Sequence, residues 1–316
     1  MVSNLVSNLQ DCAQKRASIA AQTNAYRVIN GIADGFPGVV LDRYGDHWQL
    51  QFYRSDWMDR ESLLCEAIQI AFSPEFLVVK NRLDRDGRSL ERPKMHVAVG
   101  NENAASCEVR EGEARFHVDL LDTVNPGLFL DMRDHRIELA SLSCGGDMLN
   151  LFCYTGSFSV HARLAGATRA VNVDISAKIL SRARENYLLN GIQTLRGEFF
   201  RGTAGEYLRY AVRKGLRFRI VVLDPPSFSH SAQGSFQVRQ DLESLVRLCA
   251  QVVEAQGFLF VSTNHSQYRP HLLADFVHQW TPNASKILWM RGQSMDFSSN
   301  GSQRESCLSA VLVQMT

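Results

Sequence analysis

Three strand ends carry the residues of this sequence that could do chemistry. Asp174 follows the apolar run Ala170-Val171-Asn172-Val173, Asp224 follows Val221-Val222-Leu223, and Ser262-Thr263-Asn264-His265 follow Phe258-Leu259-Phe260-Val261. An acid at the carboxyl end of a parallel strand is where open α/β sheets hold a ribose, so Asp174 is a candidate ligand for a nucleoside. Behind Asp224, Pro225 and Pro226 stiffen the backbone and remove two donors, which leaves carbonyls to accept from a substrate. Upstream, the stretch Asn125 to Arg136 sets Asp131 and Arg133 side by side in sequence. Such a pair offers charges of both signs to the ammonium and carboxylate of an amino-acid group. The plainer reading of the pair is a salt-bridged helix start. For His265 a place in a cleft wall is preferred over general-base work.

These residues need a sheet to position them, and Asp147 to Asp174 lays out its central unit: a strand, a glycine turn, a helix, a second strand ending in an acid. Met148 to Phe152 reads as a buried strand, Ser157 to Leu164 as a helix, and Gly156 sits where the chain turns sharply and brings backbone close to a ligand. The turn, Tyr154-Thr155-Gly156-Ser157, lacks the three glycines that cradle a pyrophosphate. A cofactor with an adenosine and no phosphate fits it better, and S-adenosylmethionine has that chemistry. The competing reading is an ordinary βαβ turn. Phe152, Tyr154, Thr155, Gly156, Asp174 and Ile175 are the candidate cofactor residues of this unit.

Around it, the chain of 316 residues with 45% hydrophobic residues is long enough for one large or two moderate domains. Residues 1–22 read as a helical segment, with a helix over 5–22. Residues 23–118 read as a small mixed α/β unit, in which Val39-Val40-Leu41, Trp48 to Tyr53, Phe76 to Val79 and Phe116 to Val118 are strands. Ser55 to Phe72 reads as a helix with Ser55 as a possible cap. From 119 to 316, strands near 148–152, 169–173, 194–200, 218–223, 257–262, 285–290 and 307–314 alternate with helices, which predicts a parallel sheet covered on both faces. The last two strands lack a clear helix between them, the pattern of an antiparallel final strand tucked into the sheet.

Seven cysteines stand singly at 12, 65, 107, 144, 153, 249 and 307, with no C-x-x-C spacing, so neither a metal site nor a disulfide framework is expected. The absence of a long apolar run and of a secretion pattern points to the cytoplasm and away from a membrane. Net charge is +1, yet Lys80 to Lys94 carries Lys80, Arg82, Arg85, Arg88, Arg92 and Lys94 against Asp84, Asp86 and Glu91. A loop of that kind either tracks phosphates or is simply solvated.

Taken together, TNAYRVINGIADGFPGVVLDRYGD, NPGLFLDMRDHR, LNLFCYTGSFSVHA, VNVDIS, ENYLLNG and VVLDPPSFS are similar to the class I methyltransferases that modify bases of bacterial 23S ribosomal RNA. The resemblance spans residues 20–314. It implies a Rossmann-like sheet of seven strands, the last antiparallel, beside a small α/β domain that binds substrate, with S-adenosylmethionine as donor and ribosomal RNA or a ribosomal subunit precursor as partner. A homodimer is left open. By the resemblance, Asp131 and Arg133 lie at the methionine end of the cofactor, Gly156 in the cofactor turn, and Asp174 on the ribose. Asp224, Pro225 and Pro226 form the catalytic edge, and Asp224 is counted among the cofactor residues as well. Asp-Pro-Pro followed by an aromatic is how many base-modifying enzymes accept from and stack a flipped base; here Ser227 occupies the usual aromatic place and Phe228, which follows it, is the candidate stacking ring.

Three departures shape the expectation. Many relatives carry an amino-terminal PUA-type domain, and this chain is expected to lack one. Thr203, counted among the cofactor residues, follows Gly202 where relatives have an acid for the adenine. Ser262 stands where cytosine-C5 members have a cysteine. Carbon 5 of cytosine needs a thiolate added at carbon 6 before it takes a methyl, whereas guanine N7 attacks through its own lone pair. Guanine N7 is therefore favoured. Cytosine C5 with Cys153 or Cys307 as nucleophile is the alternative, and a non-catalytic ribosome assembly factor is the alternative from another class. Both cysteines read as buried and structural.

Overall fold

The computed structural model describes residues 2–82, 94–123, 125–226, 228–231, 234–265, 267–282, 285–297 and 308–316, with the backbone alone at 58 and from 228 to 240. The chain packs as two units, which divide after Asp131 and exchange chain again at Ser294 and before the final strand.

The first unit opens with α1 (Val2–Gln14) and α2 (Ala17–Ala20) and continues through β1 (Ala25–Asn30), β2 (Val39–Tyr44), β3 (His47–Phe52), α3 (Glu61–Phe72), β4 (Phe76–Asn81), β5 (Met95–Val99), β6 (Ser106–Glu111) and β7 (Ala114–Asp119). Strands β1 to β5 form a five-stranded sheet in chain order, and β6 pairs with β7 as a hairpin. Only β3 and β4 run parallel in that sheet, because α3 carries the chain back between them. The alternation Trp48, Leu50, Phe52 on β3 and Leu77, Val79 on β4 turns one face toward Leu9 and Cys12 of α1 and Leu64, Ala67 and Ile68 of α3. Trp48 stacks on Phe72 at 4.4 Å between centroids.

Two local expectations are corrected here. Ser55 caps nothing: it begins a 3₁₀ stretch, Ser55–Arg60, and α3 starts only at Glu61 with no side-chain cap. Lys80 is no part of a solvated loop. It lies within β4 at 2% exposure, its Nζ donates to the Asp122 carbonyl at 2.7 Å, and burial pulls its ammonium down to about 8. Residues 83–93 lie outside the described residues, so the rest of that charged stretch has no structural account.

The opposite sheet face is polar. Arg27 binds both oxygens of Asp42, Asp42 accepts from Gln51, and Gln51 accepts from Arg82. A bulge between Arg27 and Ile29 frees the Arg27 N–H from its ladder, and Asp296 accepts it at 2.9 Å. Residues 294–297 therefore belong with this unit, which no sequence period announces. Residues 119–131 belong with it too, although the strand and helix pattern grouped them with the seven-stranded sheet: Asp119 N–H reaches the Pro126 carbonyl, and the Asp131 carbonyl accepts from Ser294 twice.

The second unit contains α4 (Arg133–Leu142), β8 (Asp147–Leu151), α5 (Ser157–Leu164), β9 (Arg169–Asp174), α6 (Ala177–Leu189), β10 (Phe199–Arg201), α7 (Ala204–Lys214), β11 (Phe218–Leu223), β12 (Phe228–Ser231), β13 (Gly234–Gln237), α8 (Val238–Ala250), β14 (Val253–Thr263), α9 (Pro270–Gln279), β15 (Lys286–Arg291) and β16 (Ser309–Gln314). Among the described residues its main sheet has seven strands in the order β10-β9-β8-β11-β14-β16-β15. β16 is antiparallel to both neighbours, in keeping with the sequence pattern of the last strand.

Both sheet faces are apolar, which explains the near-continuous hydrophobic runs. Leu149, Leu151, Val221, Leu223, Leu259 and Val261 face α7, α8 and α9, while Met148, Val222, Phe258 and Phe260 face α4 and α5. A fully buried side chain such as Phe260 contributes on the order of 1.5–3 kcal/mol against exposure. The strand order reverses direction between β8 and β11. In open α/β sheets that switch point opens a crevice outside the carboxyl ends, and the site must be sought there.

Candidate active site

Leu151 pairs with Val173 on one side and with Leu223 on the other, so the carboxyl ends of β8, β9 and β11 finish level. Phe152 to Gly156, Asp174 and Asp224 come directly from those three ends. The turn after β8 is strained: Phe152 has φ 56° and Tyr154 φ 49°, and both are side-chain-bearing residues in the left-handed region. Such strain persists only where the surroundings fix it, and it concentrates at binding sites.

The surroundings are visible. Cys153 N–H donates to the Val173 carbonyl at 3.0 Å, Tyr154 N–H donates to Asp174 Oδ2 at 3.3 Å, and Asn186 Nδ2 donates to the Thr155 carbonyl at 3.0 Å. Gly156 (φ 76°) ends the turn and starts α5; a Cβ there would stand 3.1 Å from Ala183 Cβ and 3.3 Å from Asn172 Oδ1. The glycine thus serves both the backbone angle and the close packing of α6 behind it.

Asp174 also accepts from Ser176 N–H at 2.9 Å. Burial pushes its carboxyl up from the ordinary value, while the N–H groups of Ser176, Tyr154 and Ile175 pull the other way. The Asp174 carbonyl accepts from Gly202 N–H at 3.1 Å, which brings the next strand end alongside. Ile175 is half-buried, and its carbonyl accepts from Arg201. Thr203 caps α7: its hydroxyl accepts from Glu206 N–H at 3.2 Å and donates to Glu206 Oε2 at 2.8 Å.

At the far side of the crevice Asp224 meets a partner that sequence reasoning did not pair with it. Ser262, fully buried on β14, donates its hydroxyl proton to Asp224 Oδ1 at 2.6 Å. No signal in the sequence pairs them: the bond follows from strand register, in which Leu223 lies beside Val261 and the next residue on each strand is the pair in question. Pro225 is buried and Pro226 exposed. Phe228 is described by its backbone, as the first residue of β12, and Ser227 lies outside the described residues. His265 accepts from Gln267 N–H and packs edge-on to Tyr268.

The candidates for the methionine end lie on either side of the division between the units. Asp131 falls in the 3₁₀ turn Leu130–Met132, and its carbonyl is held by Ser294 N–H at 2.9 Å and Ser294 Oγ at 3.0 Å. Arg133 begins α4, is buried to 2% exposure, and gives its Nε to Asp134 at 3.1 Å. Of the two candidate thiols, Cys153 is buried and burial raises it well above its ordinary value; Cys307 lies outside the described residues. Among the described residues no cluster of three or more His, Cys, Asp or Glu could hold a metal ion, and no helix is long and apolar enough to cross a membrane.

A half-buried carboxylate at the end of β9, next to a strained turn whose missing Cβ at Gly156 lets backbone and α6 approach, suits a ribose and adenine and offers no cradle for a pyrophosphate. The fold is that of a class I methyltransferase. A family model described as S-adenosylmethionine-dependent methyltransferase matches residues 69–290, and the chain belongs to that family. S-adenosylmethionine is its methyl donor.

Among curated proteins it is similar to ribosomal RNA large subunit methyltransferase K of Neisseria meningitidis, 33% identical over 81% of this chain and 72% of the relative. It is similar to ribosomal RNA large subunit methyltransferase I of Photobacterium profundum at 31%, over 80% of this chain and 64% of the relative. Among solved structures, a protein described as a methyltransferase complexed with SAH is 25% identical with a TM-score of 0.87, over 99% of this chain and 82% of that one.

Proposed function

We propose that the protein methylates a base of bacterial large-subunit ribosomal RNA in the cytoplasm, with guanine N7 as the acceptor and ribosomal RNA or a subunit precursor as the substrate. The relatives named above support the RNA class. The observation that carries the choice of base is the hydroxyl of Ser262 against Asp224, at the strand edge where the resemblance places the cysteine of cytosine-C5 enzymes. A hydroxyl there does not add to a pyrimidine ring. Cys153, the described alternative, is held as a thiol by burial, and a thiol is a poor nucleophile.

When bound, S-adenosylmethionine supplies an electrophilic methyl group on a sulfonium. In this reading Asp174 holds the ribose, with Phe152, Tyr154, Thr155, Gly156 and Ile175 shaping the adenosine side. Asp131 and Arg133 hold the amino-acid end. Asp224, Pro225, Pro226 and Phe228 present the base. Guanine becomes a cation when N7 is methylated, and a carboxylate fixed at the edge favours that developing charge. No general base is needed, because N7 carries no proton to lose.

The test is incubation with labelled S-adenosylmethionine and unmodified ribosomal RNA or subunits, then nucleoside digestion and mass spectrometry. Labelled 7-methylguanosine is expected. Labelled 5-methylcytidine would overturn the choice of base, and label on no nucleoside would overturn the RNA reading.

A further inference from the structure

We propose that Ser262 is a positioning residue for methyl transfer: its hydroxyl, committed to Asp224 Oδ1, fixes the carboxylate at the strand edge in one orientation and in its anionic form. The inference rests on the reading of Asp224 as the group that meets the base, and it names the residue through which that group is controlled.

Register brings the two side chains together. Leu223 pairs with Val261 in parallel strands, so Asp224 and Ser262 leave their strands side by side. By strand alternation both continue the face of Val222 and Phe260, which is packed under α4 and α5. A serine hydroxyl has one proton to give, and a fully buried one needs an acceptor inside the protein. The 2.6 Å separation from Oδ1 is the length of a hydroxyl bonded to an ionised carboxylate.

The contact acts on both the geometry and the charge of Asp224. Because one carboxylate oxygen is pinned, the side-chain torsions of Asp224 are pinned with it. Because the proton of Ser262 points at an anion, protonation of Asp224 loses a hydrogen bond and the charged form is favoured. Alanine at 262 removes both effects and leaves the backbone of β14 as it is. Threonine keeps the hydroxyl and suits a strand.

The experiment tracks the Asp224 carboxyl directly, by ¹³C NMR titration of full-length protein labelled at aspartate, with Asp224→Asn giving the assignment. Ser262→Ala is expected to move the Asp224 midpoint up by about one pH unit, and Ser262→Thr to restore it. In parallel, single-turnover methylation should fall about tenfold in Ser262→Ala, and its acid limb should move to higher pH. S-adenosylmethionine affinity should stay within about twofold. An unmoved Asp224 midpoint in Ser262→Ala overturns the inference. A midpoint that moves in Ser262→Ala while the wild-type protein labels no RNA leaves the pair standing and overturns the proposed function instead. Should the alanine variant fail to fold, Ser262→Cys, with a weaker donor of similar shape, must raise the midpoint; an unchanged one overturns the inference equally.

Discussion

Tyr154 reaches Asp174 through its backbone: the N–H donates to Oδ2 at 3.3 Å from a residue whose φ is 49°. The strained turn and the strand-end acid are therefore one construction, in which the carboxylate anchors the loop that lies beside it. Asp174→Ala removes the acid and the anchor together. Hydrogen bonds to charged groups are worth about 1.5–3 kcal/mol, so affinity for S-adenosylmethionine should fall roughly 10- to 150-fold by titration calorimetry. Burial raises the folded carboxyl above its ordinary value, so it takes up its proton earlier as pH falls. Wild-type affinity should decline through that raised midpoint, and the decline should be absent in the alanine variant.

Gly156→Ala should destabilise the protein by about 1–3 kcal/mol in chemical denaturation, from the cost of a positive φ in a residue with a Cβ. The added methyl would also press on Ala183 at 3.1 Å, and α6 is a packed helix that yields little. Cofactor affinity should fall in the same variant, because any relief of the contact shifts the turn. A variant with full affinity would separate the turn's geometry from binding.

Much of the second unit was legible because a buried parallel sheet writes its strands as apolar runs ending in acids. Asp174 and Asp224 could be placed at strand ends before any coordinates. What could not be read was set by contacts without a period. The Ser262 to Asp224 bond depends on the register of two strands separated by a helix. The docking of Asp296 on the Arg27 bulge joins residues 269 apart in sequence, and neither residue type announces it. Lys80 looked like one more charge in a basic stretch. Its burial comes from a strand covered on both faces, where Lys80 lies on the face opposite Leu77 and Val79 and reaches the Asp122 carbonyl, and no alternation in the sequence shows that.

His135 should make stability fall on mild acidification. Its ring is buried, stacked on Trp289 at 5.4 Å, and Nε2 meets the Gly292 carbonyl at 2.7 Å. Burial depresses its pKa below the ordinary 6.5, so the folded state keeps it neutral where the unfolded chain takes up a proton. The unfolded state then binds more protons, and stability drops as pH falls below about 6.5, by at most about 1.4 kcal/mol per pH unit from this group. Urea midpoints measured from pH 7 to pH 5 should decline less steeply in His135→Gln; parallel curves would exclude the residue.

Asp224→Asn should separate binding from chemistry. The amide keeps the size of the side chain and still offers Ser262 an acceptor, while the negative charge is gone. If the carboxylate favours positive charge developing on the base, single-turnover methylation should fall on the order of 10²- to 10³-fold, the range seen when one aimed electrostatic group is removed. Affinity for S-adenosylhomocysteine should stay within about threefold. A loss confined to cofactor affinity would move Asp224 from the substrate side of the crevice to the cofactor side.

Thr203 tests whether a residue expected at the adenine works for the helix instead. Its hydroxyl is engaged twice by Glu206, accepting from the N–H at 3.2 Å and donating to Oε2 at 2.8 Å, and its own N–H reaches the same carboxylate at 2.7 Å. That is a complete capping box, and replacing a capping threonine by alanine costs about 1 kcal/mol. Thr203→Ala should lower stability by that amount and leave S-adenosylmethionine affinity within about twofold, whereas Thr203→Ser should match wild type in both. Serine and alanine differ in the hydroxyl alone, so an affinity that collapses in the alanine variant and returns with serine would put the hydroxyl on the cofactor. Stability that falls with affinity intact would assign Thr203 to α7.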